Sequence, residues 1–149
     1  MKVREALRRS AVAVAPDHTV RTAAQVMRST GVGTLVIVDD GTAPLGIVTD
    51  RDLVTRSLAA DAPPDARIDS VMSTPVVTVS ADAELHSCYG LFRVNGVRRL
   101  VVVDGSAVVG IVSIDDLLVD LAADLGDLAR PVTAETVFGQ HDAVVPATV

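Results

Sequence analysis

Two short phrases hold the residues of this chain whose types and spacing could do chemistry. "GIVTDRDL" runs from Gly46 to Leu53, and "GIVSIDDL" from Gly110 to Leu117. Each sets a hydroxyl, Thr49 or Ser113, three residues ahead of a carboxylate, Asp52 or Asp116. If a helix starts at the hydroxyl, this spacing is a capping box. The hydroxyl oxygen accepts from the backbone N–H of the third helical residue, and that residue's carboxylate reaches back to the N–H of the cap. Such a cap is worth about 1 kcal/mol and needs no ligand. The same geometry suits recognition. A helix start offers free N–H groups and the positive end of the dipole, which favour an anion. A carboxylate there can accept both hydroxyls of a ribose, while the Thr or Ser hydroxyl meets a ribose or phosphate oxygen. Residue types alone leave both readings open.

The surroundings of the two phrases are also duplicated. "GVGTLVIVDD" at Gly31 matches "GVRRLVVVDG" at Gly96, "AVAVAPDHTV" at Ala11 matches "VVTVSADAEL" at Val76, and "VREAL" at Val3 matches "IDSVM" at Ile68. A solenoid needs at least three such units, so a paired arrangement is expected. Within each unit, Val12 and Val14, or Val77 and Val79, alternate as in a strand with one buried face. Val20, Ala23, Ala24 and Met27, or Leu85, Cys88, Tyr89 and Phe92, follow the spacing of a core-facing helical stripe. The apolar runs Leu35 to Val38 and Leu100 to Val103 suit strands buried on both faces. Asp40-Gly41 and Asp104-Gly105 mark hairpin turns. A second helix is expected from Asp50 to about Ala60 and from Ile114 to about Leu125, with Gly126 as the stop in the latter. Pro63 and Pro64 break any helix in the linker. The order predicted is β-α-β-β-α, twice, with repeats over 1–62 and 63–126. Residues 127–149 have no clear period and are read as a tail open to disorder.

Composition removes several function classes. The net charge is −6 and aromatics are 2% of 149 residues, so neither the basic surface nor the stacking platforms of a nucleic-acid binder are expected. No apolar run approaches the roughly 20 residues that cross a bilayer. The basic N-terminus leads into no signal-type apolar segment, and a single cysteine suits a reducing, cytoplasmic compartment. "GVG" at Gly31 follows a helix and opens a strand, the reverse of a dinucleotide fingerprint. His86 and Cys88 fall on different helix faces and make a poor metal pair, with Cys88 read as an inert buried thiol. Asp116, Asp120 and Asp124 share one helix face and are read as solvated rather than metal-binding. No catalytic constellation is visible, so an enzyme is not expected.

With its two phrases, each preceded by "L-[VI]-[VI]-V-D" and a turn, the chain resembles a tandem cystathionine-β-synthase-type (CBS) domain pair, or Bateman module, over about residues 3–125. The resemblance implies an α+β (α/β-like) fold of two repeats packed as a pseudo-twofold pair. It implies two clefts for adenosyl ligands such as AMP, ADP, ATP or S-adenosylmethionine, with no covalent cofactor and no metal. Each cleft is expected to borrow from the partner repeat. The first would combine Ile47, Thr49, Arg51 and Asp52 with Val77, Val97, Arg98 and Arg99. The second would combine Ile111, Ser113 and Asp116 with Val12, Val32 and Gly33. Arginine suits bidentate phosphate contact, so the first cleft is expected to take a phosphorylated ligand. The second would be empty or hold a ligand of little negative charge. Against this, Arg98 and Arg99 could be a solvated strand end, and the six apolar residues ordinary core. The function implied is a regulatory sensor, a homodimer acting on a separate partner protein. The alternative is a structural dimerisation module with degenerate clefts. The Ala, Val, Asp and Arg bias fits a bacterial source.

Overall fold

The computed structural model describes residues 1–40 and 42–138, with side chains described to residue 131. Two compact units divide the chain, Met1–Ile114 and the segment from Asp115. The first holds two three-stranded sheets, each of order edge, centre, edge. In the first sheet β1 (Ala13–Val14) runs parallel to β2 (Thr34–Val38), which pairs antiparallel with β3 (Pro44–Thr49). In the second sheet β4 (Thr78–Ser80), β5 (Arg99–Asp104) and β6 (Ala107–Ser113) repeat the pattern. Helix α1 (Val20–Thr30) joins β1 to β2, and α3 (Ser87–Asn95) joins β4 to β5. The expected β-α-β-β-α order is present twice, in a mixed α+β architecture.

The central strands explain the continuous apolar runs, because Leu35, Val36, Ile37, Leu100, Val101 and Val102 are fully buried. Helix α1 is capped by Thr19, whose hydroxyl accepts from the Thr22 N–H at 3.0 Å. It ends on Gly31 in the left-handed region, where glycine carries no Cβ penalty. The helical stripe is narrower than its spacing suggested. Val20, Ala23 and Met27 are buried while Ala24 is exposed, and Leu85, Cys88 and Phe92 are buried while Tyr89 is exposed. The same position is exposed in both copies.

Each repeat is closed by a segment that precedes the other. The 3-10 turn Val3–Ala6 docks on the second repeat, with Val3 N–H donating to Ala83 O and Arg4 N–H to Ala81 O, both at 3.0 Å. The matching turn Ile68–Ser70 docks on the first, with Ile68 N–H donating to His18 O at 2.7 Å and Asp69 N–H to Pro16 O at 3.4 Å. Ile68 and Val71 sit in the first repeat's core with Leu35, Ile37 and Val48. This reciprocal exchange is the pseudo-twofold pairing. It also accounts for the glycine that opens each phrase. A Cβ on Gly46 would stand 2.8 Å from Met72 Cγ, and one on Gly110 would stand 2.8 Å from Leu7 Cδ2. Met72 and Leu7 are the same position of the two exchanged segments.

The helices after the phrases differ from expectation. After one α-helical turn, α2 (Asp50–Asp52), the backbone widens to a π-helical segment over Leu53–Ser57 and closes as a 3-10 turn over Leu58–Ala60. Helix α4 spans Ile114–Phe138, so it passes through Gly126 and Pro131 instead of stopping near Leu125. Gly126 fails as a stop because, among the described residues, the glycines in the left-handed region are Gly31, Gly96 and Gly105. Residues 127–138 of the expected tail are therefore helical, and 139–149 lie outside the described residues.

Candidate functional site

At the first phrase the chain leaves β3 and enters α2 at Thr49. The capping box is formed in full. Asp52 N–H donates to Thr49 Oγ1 at 3.2 Å, and Asp52 Oδ2 accepts from both the Thr49 N–H at 2.8 Å and the Thr49 hydroxyl at 2.9 Å. The Asp52 side chain is 17% exposed, and its other oxygen faces Arg56 Nε at 3.6 Å. Asp50 N–H donates to Gly33 O at 3.0 Å, and a Cβ on Gly33 would lie 3.1 Å from the Asp50 carboxylate. Gly33 thus lets β2 start hard against the helix. Arg51 points to the exterior and, with Asp50, Val54 and Thr55, lines an open hollow of about 480 Å³.

Thr34 was not singled out by sequence reasoning. It pairs directly with Thr49 across β2 and β3. Directly paired residues share a sheet face, so Thr34, Val36, Ile47 and Thr49 lie on one face, opposite to Leu35, Ile37 and Val48 of the core. Thr34 is 8% exposed, and its hydroxyl has no hydrogen-bond partner among the described residues. A buried unsatisfied hydroxyl costs about 1–3 kcal/mol. The clue in the sequence was a Thr opening an otherwise apolar strand.

The second phrase repeats the junction with different side chains. Arg99 pairs with Ser113, and the Ile114 N–H donates to Arg98 O at 3.0 Å. Arg99 stands where the first repeat has Thr34, and Arg98 where it has Gly33. By backbone pairing, then, Arg98 and Arg99 neighbour Ser113, because the start of β5 faces the end of β6. The apolar residues follow the same rule. Val77 O accepts from Val101 N–H, and Val101 pairs with Ile111; Val12 O accepts from Val36 N–H, and Val36 pairs with Ile47. Val12, Val32, Ile47, Val77, Val97 and Ile111 are all half-buried, and none belongs to the fully buried core. Val12 and Val32 pack at the margin of the first repeat's core.

The remaining candidates are placed simply. Cys88 is fully buried, and desolvation pushes its thiol above the ordinary range, which disfavours the reactive thiolate. Among the described residues no cluster of His, Cys, Asp or Glu could hold a metal ion, and no helix is long and apolar enough to cross a membrane. An apolar groove of about 470 Å³ runs between α1 and the π-helical segment, lined by Val20, Ala24, Leu53, Val54 and Leu58 with Arg21 and Arg28.

Paired sheets with exchanged leader turns, each ending in a strand-to-helix junction, define a tandem-repeat α+β module. The chain belongs to the CBS domain family, whose model matches residues 3–59 and again 68–123. The uncharacterized protein MK0525 of Methanopyrus kandleri is 38% identical over 120 residues, which are 79% of this chain and 61% of that protein. The chain thus spans less than two thirds of that relative's length. The CBS domain-containing protein YhcV of Bacillus subtilis is 31% identical over 118 residues, 79% of this chain and 84% of its own. Among solved structures, the CBS domain protein PAE2072 from Pyrobaculum aerophilum, complexed with AMP, matches with a TM-score of 0.71 and 26% identity over 83% of this chain and 99% of that one.

Proposed function

We propose that the chain is a regulatory, non-enzymatic module that binds an adenosine nucleotide at the Thr49–Asp52 junction and modulates a partner protein. The observation that carries this reading is the buried, unpartnered hydroxyl of Thr34 opposite Thr49. It is a polar group paired across the strands with Thr49, the residue that holds the Asp52 carboxylate, and left unsatisfied from within the described residues. Asp52 would accept the ribose hydroxyls, Ile47 would line the base, and Arg51 would meet phosphate. The complex of the Pyrobaculum relative with AMP supports the ligand class. A second reading, a structural dimerisation module, is favoured by the capping box, which closes Thr49 on Asp52 without a ligand.

Thermal unfolding with and without AMP, ADP, ATP or S-adenosylmethionine separates the two. A ligand at a hundred times its Kd should add about 2.7 kcal/mol. The Asp52→Ala variant loses about 1 kcal/mol of cap in any case, so the quantity to read is the shift that ligand induces in each variant. A shift lost in Asp52→Ala and kept in Asp116→Ala supports the sensor at the first junction. The double variant Arg98→Ala/Arg99→Ala then assigns the arginines. If they serve the Thr49 ligand across repeats, it behaves like Asp52→Ala; if they serve the Ser113 junction, it behaves like Asp116→Ala. No shift with any ligand leaves the dimerisation module.

A further inference from the structure

Arg56 connects two parts of the molecule that the phrase itself does not join. Its Nε faces Asp52 Oδ1 at 3.6 Å, and its Nη1 donates to the backbone carbonyls of Val71 and Met72 at 3.3 and 3.4 Å. The side chain is half exposed, so it is a bridge at the surface and not a core group. Arg56 lies in the π-helical segment Leu53–Ser57, and such segments are frequent at functional sites. Val71 and Met72 belong to the leader that closes the first repeat on behalf of the second. The next residue, Ser73, clamps the edge of β3. Ser73 N–H donates to Ile47 O at 2.8 Å, and Ile47 N–H donates to Ser73 O at 3.1 Å. A few residues further on the chain enters β4 of the second sheet. The position matching Arg56 in the second repeat is Asp120, a carboxylate that cannot donate to a carbonyl when ionised.

We propose that Arg56 is a latch that reports ligand occupancy of Asp52 to the leader of the second repeat; this rests on the proposed ligand site. Thr49 already occupies Oδ2, so an incoming ribose hydroxyl competes with Arg56 for Oδ1. Withdrawn from Asp52, the guanidinium loses the partner that orients it, and the Val71 and Met72 carbonyls lose their donor. The Ile47–Ser73 clamp loosens, and the start of the second sheet is released. Linkage makes the effect reciprocal: whatever strengthens the clamp weakens the ligand, by the same factor. Arg56 acts here as a positioning residue.

The test uses the full chain, AMP as the probe, calorimetry for affinity, and amide hydrogen exchange at Ile47 and Ser73 for the clamp. In the native chain AMP should raise exchange at both amides severalfold. In Arg56→Gln exchange should be raised already without ligand, AMP should bind severalfold more tightly because its competitor is gone, and AMP should cause no further rise. Arg56→Lys keeps the charge without the fork and should fall between, which secures the comparison if the glutamine variant folds poorly. Unchanged or weaker AMP binding in Arg56→Gln, or an AMP-dependent rise that persists in it, overturns the latch. No AMP binding by the native chain overturns the ligand site and the coupling with it. Exchange without ligand then shows on its own whether Arg56 holds the clamp.

Discussion

A single hydroxyl separates stability from function at the first junction. Thr34 is buried with its oxygen unpartnered, so its replacement by the isosteric valine removes a desolvation cost. Thr34→Val should raise the unfolding free energy by about 1 kcal/mol in denaturant titration while reducing the ligand-induced shift. A stabilised variant with an undiminished shift would show that Thr34 takes no part in binding. At this scale the sequence was informative about Thr49 and Asp52, because a capping box is a local spacing rule and needs nothing beyond four residues. It was silent on Thr34 and Arg56. Thr34 matters through a cross-strand register, and Arg56 through carbonyls fifteen and sixteen residues away, and neither relation leaves a local pattern. The strand that carries Arg98 and Arg99 was legible, and the Arg98→Ala/Arg99→Ala variant decides which junction those side chains serve.

Among the elements, the leader turns decide what the phrases tolerate. Gly46 and Gly110 have no room for a side chain, so alanine at either should destabilise by about 1–3 kcal/mol through overpacking. Gly46→Ala should cost more. It meets Met72 from Sδ back to Cβ, whereas Gly110 meets only the branched end of Leu7, which can turn aside. Denaturation midpoints of the two variants check the order. Gly126 gives the opposite expectation. It lies inside α4 with open space around a would-be Cβ, so Gly126→Ala should stabilise that helix, by up to about 1 kcal/mol. Strands and the first helix of each repeat were readable because their period is set by burial. The helix after the first phrase was readable in extent but not in kind, since widening to a π-helical segment follows from tertiary placement and not from residue type. The end of α4 was misjudged because glycine stops a helix only where the backbone turns left-handed.

For the molecule as a whole, the first leader is fastened by charge as well as by backbone. Lys2 meets Glu84 at 2.8 Å, and Arg4 meets Asp82 at 2.8 Å and Asp104 at 3.4 Å. The hydrogen bond from Lys2, with the N-terminal ammonium, holds the Glu84 carboxyl below its ordinary range, and Arg67 does the same for Asp69 in the second leader. A depressed carboxyl favours the folded state above its unfolded pKa, about 4, and this contribution is lost as pH falls through the folded value. Urea midpoints should therefore fall on acidification below about pH 4. Glu84→Gln should flatten part of that fall, and a profile unchanged by the substitution would show that the pair contributes nothing. The duplication made the architecture legible, since two copies testify for each other where one would be weak. The exchange of leaders was not legible, because "VREAL" and "IDSVM" look like the openings of their own repeats. It has a consequence for synthesis on the ribosome. The first repeat cannot finish its core until Met72 has left the exit tunnel, and the leader at Val3, made before the second repeat, must wait for Ala83 to dock. The leader ahead of the first repeat is thus among the last parts of the pair to settle, and a nascent chain halted near residue 60 would present an uncovered sheet to chaperones.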